Sequence, residues 1–354
     1  MPSFEFALAC DSLMIGMVGY IFSSLLVASL ASLIVTGYLR RYALKRCLMD
    51  MPNSRSSHAV PTPRGGGMAI VLVMISTVVA LGWLGWLSHP VVWAILGGGG
   101  LVALVGWLDD HGHVAAHWRL GVHFVGAAWG LFWLGGLPPL PILNMTLDLG
   151  WLGHILALFY LVWLLNIYNF MDGIDGIAGV EAVTVGFGGA LLAGLLLGGA
   201  AAWLPALLAA AVLGFLPWNF PRARIFMGDA GSGFVGLVLG LLSLQAASVA
   251  PDLLWGWLIL LGAFIVDATL TLLRRLLRGE RVHEAHRSHA YQHAARKLGS
   301  HVPVTTAVGM VNLLWLLPIA LWVVVGSLPG VVGVVIAYLP LIGLALYWRA
   351  GESS

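Results

Sequence analysis

Acidic side chains placed at membrane depth are the chemistry-bearing feature of this sequence. Asp109 and Asp110 stand side by side at the end of one apolar stretch, Asp172 and Asp175 close another, and Asp229 opens a third. Asp267 lies inside a later stretch, and Asp50 sits in the polar loop after the first. Ionisable groups are costly in or beside a bilayer, so each is a candidate functional group. Acids far apart in sequence that meet at one membrane surface suit a hard, oxygen-ligated cation. Magnesium, with manganese as its substitute, is the expected ion, because it accepts carboxylates, waters and substrate phosphates without a closed protein cage. Zinc would ask for sulfur or imidazole.

Spacing refines this. Neighbours such as Asp109 and Asp110 point about 100° apart on a helix, so both cannot grip one ion from one face. A division of labour follows, one acid near the metal and the other near a reacting phosphate. Asn166, Asn169, Asp172 and Asp175 recur every third residue, a polar ladder along one helix face, with Gly173, Gly176 and Gly179 where it ends. Asp229 lies among Gly228, Gly231 and Gly233, close behind Arg222 and Arg224, where a helix N-terminus would favour phosphate oxygens or a metal-bound acid. The first polar loop, Asp50 to Gly67, reads either as a linker or, better, as offering Arg55, His58 and Arg64 to an anionic substrate. His283, His286, His289 and His293 would share one face of a helix within about 120°. Phosphate contact, a solvated loop helix and a zinc site are the three readings of that cluster. Its neighbours Arg281, Arg287, Arg296 and Lys297 favour the first.

The elements that must position these groups are membrane spans. The 354 residues are 60% hydrophobic and 9% charged, with mean hydropathy +0.95, far below the charge of a soluble chain. Eleven apolar stretches are candidate spans: 12–38, 67–87, 91–108, 118–137, 151–168, 177–199, 201–217, 232–250, 253–273, 303–325 and 330–348. The first has no preceding positive charge and is not expected to be a cleaved signal. With the N-terminus periplasmic and the C-terminus cytoplasmic, all 17 Lys and Arg fall on the cytoplasmic side, as insertion statistics demand. That side also receives the acids just named, whereas Glu5, Asp11, Asp148 and Asp252 fall opposite. Cys10 and Cys47 end up on opposite sides and cannot pair. Several of the 16 tryptophans, Trp83, Trp118 and Trp151 among them, stand at expected span ends as interfacial anchors. The expectation is one all-α, polytopic domain over 1–354. Cytoplasmic loops near 39–66, 109–117, 218–231 and 274–302 would form its working face.

Four separated motifs between about 50 and 299 resemble those of the polyprenyl-phosphate N-acetylhexosamine-1-phosphate transferases. The first loop is similar to that family's Asp-x-Pro-Asn-x-Arg-x-x-His pattern, and Asp109-Asp110 to its acidic pair. Asn166…Asn169…Asp172-Gly-Ile-Asp175-Gly resembles its most diagnostic stretch, and Ile225-Phe-Met-Gly-Asp229-x-Gly-Ser a further one. Asp267 followed by Arg274-Arg275 resembles its ninth-span region. In the last loop the family's His-x-His-His reads His286-Arg-Ser-His289, with Ser288 in place of a histidine. This brings the chain closer to enzymes that start O-antigen and other surface polysaccharides than to the muramoyl-pentapeptide branch.

The resemblance implies transfer of a sugar-1-phosphate from a UDP-N-acetylhexosamine to undecaprenyl phosphate in the bacterial inner membrane, releasing UMP. It implies catalytic roles for Asp109, Asp110 and Asp172, and magnesium on Asp229, Asn169 and Asp172. Substrate contacts would come from Asp50, Asn53, Arg55, His58, Asn166, Asp175, Arg224, His286 and His289. The expected partners are lipid, nucleotide sugar, membrane and a second copy of the chain, with no nucleic acid. Two other classes compete. A transporter or lipid-sugar flippase would gather its acids near the midplane. An intramembrane aspartyl protease would pair two acids such as Asp229 and Asp267 inside spans and leave the loop motifs idle.

Overall fold

The computed structural model describes residues 2–52, 60–143, 145–280 and 287–352, with side chains from Gly19 onward. Asn53, Arg55, His58, His283 and His286 lie outside the described residues. Helices dominate: α1 (Pro2–Lys45), α2 (Met68–Trp83), α3 (His89–His111), α4 (Ala116–Leu134), α5 (Gly150–Met171), α6 (Ile177–Leu197) and α7 (Gly199–Asn219). There follow α8 (Gly228–Val249), α9 (Asp252–Leu260), α10 (Gly262–Leu277), α11 (Ala290–Leu298), α12 (Val302–Val324) and α13 (Gly330–Tyr347). Two small antiparallel ladders join β1 (Met49–Asp50) to β2 (Thr62–Pro63), and β3 (Leu140–Ile142) to β4 (Met145–Leu147).

Among the described residues, eight helices are long and apolar enough to cross a bilayer: α1 from Gly19, α3, α5, α6, α7, α8, α12 and α13. α9 and α10 qualify as a ninth only as a pair, bent by 69°. The expected straight span at 253–273 is thus two helices broken at Leu261. α2 is apolar but has 16 residues, and α4 carries Arg119 in its first turn. Side chains on the outside are oily: Phe22, Leu26 and Ile34 of α1 are 74%, 61% and 57% exposed. Water would not tolerate that surface, and lipid does. Trp83, Trp118 and Trp151, at or near helix ends, are likewise exposed, as interfacial rings are. This is a multi-pass membrane protein.

α8 is the axis. Almost every residue from Ala230 to Leu244 is buried, which requires an all-apolar circumference and close neighbours. Small residues supply the second condition. Gly231 meets Gly67 of the α2 entry, Gly236 meets the backbone of α5 at Leu164 and Leu165, and Gly240 meets Leu161. On α3, Gly106 lies against the backbone of Asp229 and Ala230, where any Cβ would collide. These contacts seat the first turn of α8 between α2 and α3.

One end of the bundle collects the C-terminal ends of α1, α3, α5, α7, α10 and α13 and the N-terminal ends of α2, α4, α6, α8 and α12. Hydrogen bonds tie them together: Arg64 to the Asp109 carbonyl, Arg40 to the Arg224 carbonyl, Tyr291 to the Phe170 carbonyl and Arg274 to the Ala350 carbonyl. The described lysines and arginines lie at this end, and the β3–β4 hairpin, Asp148 and Asp252 at the other. The chain before α8 also pairs with the chain before α2. Phe226 N–H donates to Pro63, and Gly66 and Gly67 N–H donate to Phe226 and Met227.

Candidate active site

The acid pair closes α3, where the carbonyl end of the helix opposes negative charge. Both carboxylates find positive partners elsewhere. Asp109 accepts the Val114 amide at 2.8 Å and Arg119 Nη1 at 2.7 Å. The same Nη1 lies 2.5 Å from Asp229 Oδ2, so one guanidinium bridges two acids brought from α3 and α8. Asp110 turns the other way and is 3% exposed. Its two oxygens accept the Asp229 and Ala230 amides, at 3.1 and 3.4 Å. These are first-turn donors of α8 that have no partner within their own helix. Gly228, at φ +78°, has no room for a side chain against this carboxylate. The two neighbours differ in task, Asp110 seating α8 and Asp109 facing Arg119 and Asp229.

The polar ladder does not stay on one helix. α5 ends at Met171, Asp172 is its C-cap with ψ +55°, and Asp175 lies in the loop. Helical periodicity fails there because Gly173 and Gly176 break the run, Gly176 adopting φ +75°. Asn169 lies beside Asp229. Asn166 donates to Val162 O and faces His123 of α4, one turn deeper. Burial, together with the charges of Asp229, Asp110 and Asp175, pushes the Asp172 carboxyl up to about 7. Asp175 pairs with His301, Nδ1 to Oδ1 3.2 Å. Beside it a basic cleft is lined by Arg222, Gln292, Arg296, Ser300 and His301.

Other expected residues sit further from the acids. Arg224 stacks on Trp218, 4.6 Å from the ring centre, and donates to the Pro217 carbonyl, closing the end of α7. Asp50 lies in the ladder of β1 with β2. His289 and His293 do not share one helix face, because α11 begins only at Ala290. His289 precedes it, is 2% exposed, and lies 3.5 Å from Asp267. Asp267 also accepts the Ala290 and Tyr291 amides, at 2.9 and 3.0 Å, and Thr271 Oγ1 at 3.1 Å. Ser288, which takes a histidine's place, is buried against Arg275.

Arg119, His123, Asn219 and Tyr291 were not anticipated. Arg119 reads in sequence as an ordinary positive charge at a span end; its proximity to the acid pair was the usable signal. His123 is buried, with Nδ1 unpartnered among the described residues. Asn219 braces two loops, accepting the Gly176 amide and donating to the Ile225 carbonyl. Nothing in the sequence distinguishes it from any span-end asparagine.

Does the donor set fit magnesium? Among the described residues no three His, Cys, Asp or Glu side chains are grouped so as to hold an ion unaided. The groups that do converge are oxygens: Asp109, Asp229, Asn169 and the unneutralised Asp172. A cationic guanidinium already bridges two of them. Few protein ligands, all hard, with room for substrate oxygens, is the pattern magnesium takes, and the residues fit it.

The model of glycosyl transferase family 4 matches residues 92–247, which hold the acid pair, the Asn166–Asp175 segment and Asp229. A probable undecaprenyl-phosphate N-acetylglucosaminyl 1-phosphate transferase of Bacillus subtilis (strain 168) is 31% identical over 275 residues, 75% of each chain. The chain belongs to glycosyl transferase family 4. It is a phosphosugar transferase. A phospho-N-acetylmuramoyl-pentapeptide-transferase of Synechococcus sp. (strain JA-2-3B'a(2-13)) is 33% identical, covering 77% of this chain and 81% of its own. A decaprenyl-phosphate N-acetylglucosaminephosphotransferase of Mycolicibacterium smegmatis (strain ATCC 700084 / mc(2)155) is 29% identical, over 77% and 76%. Family members of both the N-acetylglucosamine and the muramoyl-pentapeptide kinds are therefore similar to the chain.

Proposed function

We propose that this enzyme transfers N-acetylhexosamine-1-phosphate from a UDP-sugar to undecaprenyl phosphate, at the cytoplasmic face of a bacterial inner membrane. The step would open O-antigen or related surface-polysaccharide synthesis. The observation that carries the reading is the meeting of Asp109 and Asp229 on one guanidinium, with Asn169 and Asp172 beside Asp229, at the loop-bearing end of the bundle.

A phosphate monoester is already largely dianionic at pH 7, so the acceptor needs alignment more than activation. Its oxygen attacks the sugar-bearing phosphorus, the bridge between the two phosphorus atoms breaks, and UMP leaves with the bridging oxygen. Asp109 orients the incoming lipid phosphate and takes up its remaining proton, and Asp110 keeps α8 seated so that Asp229 faces the same space. Arg119 holds Asp109 and Asp229 together and meets phosphate oxygens. Asp229 and Asn169, with Asp172 nearby, would hold magnesium, which when bound neutralises diphosphate charge. Asp175, Arg222, Arg296 and His301 line the cleft beside the acids. With His286, Asn166, His289, Arg224 and the first-loop residues Asp50, Asn53, Arg55 and His58, they would receive the nucleotide diphosphate.

The test is formation of labelled lipid and release of UMP by purified protein given undecaprenyl phosphate and a panel of UDP-N-acetylhexosamines, with and without magnesium. Product that requires both lipid and magnesium is expected, and the productive donor names the sugar. Folded protein inactive with every donor would overturn the reading. Chiral phosphate should show inversion at phosphorus; retention would replace direct attack by an aspartyl-phosphate route through Asp109 or Asp172.

A further inference from the structure

We propose that residues 350–352, which follow α13, form a strap that positions the basic cleft, fixing α11 and, through His293, the guanidinium of Arg296. The inference deepens the donor-binding half of the transferase reading and rests on that reading for its kinetic arm alone.

The chain past the end of a helix is ordinarily loose, yet these residues are held from two sides. Ala350 is fully buried, and Gly351 is buried beside it. Gly351 has φ +79°, and a Cβ there would lie 2.9 Å from both the Thr271 carbonyl and Arg274 Cβ. Only glycine meets both conditions. One side of the strap is bound to the end of α10. Arg274 Nη1 donates to the Ala350 carbonyl and Arg278 Nη1 to the Gly351 carbonyl, each at 2.6 Å. Arg274 Nη2 also pairs with Glu352 Oε1 at 3.1 Å. Bonds given by a charged donor are roughly twice as strong as neutral ones. The other side is bound to α11. The Gly351 amide donates to the Ser288 carbonyl at 2.7 Å, just before the helix begins, and His293 Nε2 lies 3.2 Å from the Glu352 carbonyl.

The contact with Glu352 decides the state of His293. A carbonyl can only accept, so the imidazole carries its proton on Nε2 and keeps Nδ1 as an acceptor. Arg296 Nη2 lies 3.0 Å from that Nδ1 and donates to it. Arg296 Nη1 donates to the Arg287 carbonyl, also at 3.0 Å, so the guanidinium is held at both of its terminal nitrogens. Arg296 lines the basic cleft with Arg222, Gln292, Ser300 and His301. A planar guanidinium binds phosphate oxygens well only when its plane is correctly turned. The strap thereby sets the orientation of one cleft cation through an uninterrupted series of hydrogen bonds, from Glu352 to His293 to Arg296.

The experiment uses the full chain in lipid nanodiscs. Gly351→Val expels the strap, His293→Leu cuts its link to Arg296, and His293→Gln can still donate to Glu352 and accept from Arg296. In the unliganded protein, amide hydrogen exchange across Ala290–Leu298 should quicken about 10-fold in Gly351→Val. In Gly351→Val and His293→Leu, the Kd for UDP and the KM for the productive UDP-sugar should each rise about 10-fold. Their kcat and their KM for the lipid should stay within about threefold, and His293→Gln should restore the donor values. If Gly351→Val does not fold, Arg278→Ala, which removes one clamp, is expected to move exchange and donor affinity the same way. Unchanged exchange in the strap variant, or unchanged donor values in His293→Leu, overturns the proposal. So does an equal rise in the KM for the lipid, which would mark a general loosening of the face. If the unmodified protein turns over no donor, the transferase reading fails by itself, and exchange still decides whether the strap holds α11.

Discussion

Asp110 and Asp267 perform the same act in two parts of the molecule. Each projects from a membrane helix and binds two successive amides at the start of another helix, α8 in one case and α11 in the other. Their surroundings differ. Asp267 gains Thr271 and His289 besides the amides, so its charge is spent locally. Asp110 shares its corner with Asp109, Asp229 and Asp172, and the only guanidinium seen to bridge acids there serves Asp109 and Asp229 among the described residues. The comparison teaches that a buried acid with a complete set of donors is architecture. A group of acids left short of positive charge is a place prepared for something cationic.

Four measurements sharpen or break that contrast. The largest effect is expected from Asp229→Ala, with turnover falling by a factor of about 1,000 and little change in thermal unfolding. An active Asp229→Ala would remove the acid corner from the chemistry. Next, Asp110→Asn should lose about 1–3 kcal/mol of stability through an unpaired helix terminus, while Asp109→Asn should lose activity with stability kept. The reverse pattern, seen in paired melting and turnover assays, would exchange their roles. Asp267→Asn should cost about as much stability as Asp110→Asn, and about 10-fold in turnover through the displaced α11. A wild-type rate in that variant would detach α11 from the site.

The smallest effect concerns pH. Asp172 has its native pKa at about 7 against an ordinary 3.8, so between those values the native state keeps a proton the unfolded chain has released. This contribution to stability therefore falls as pH rises through that window. Without divalent cations, melting should be a few degrees lower at pH 7.5 than at 5.5. Magnesium or Asp172→Asn should shrink the difference, and Asp267→Asn should not. An equal response in all three would show that the uncompensated charge lies elsewhere.

Much of this was legible in the sequence because a bilayer imposes simple rules. Apolar length marks the helices, and each of the eleven stretches overlaps a helix or, at 253–273, a bent pair. Charged residues cannot hide, so Asp109, Asp110, Asp172 and Asp229 stood out. What was not legible depends on where helices stop and how they lean. The three-residue spacing from Asn166 to Asp175 looks like one face until Gly173 and Gly176 end the helix. His289 looks like part of a helix until Asp267 fixes the start of α11 just after it. Arg119 reads as a topology signal, and only the turn at 112–115 folds it back onto Asp109. The break at Leu261 has no glycine or proline at the bent residue itself, and Tyr338, which takes up the Leu258 carbonyl there, lies on another helix.

The reach of Asp110 has a bearing on biogenesis. Its partner amide on Asp229 lies 119 residues further along the chain. At about 5–20 residues per second, roughly 6 to 24 s pass between the synthesis of the two. During that interval α3 has already left the ribosome, and while Asp109 finds Val114 and Arg119 within ten residues, Asp110 has nothing to receive it. Asp110 must wait at the aqueous edge of the membrane and is buried only when α8 arrives and docks. Completion of the acid corner is therefore a late event of assembly, and a nascent chain truncated before α8 would hold α3 with Asp110 still open to water.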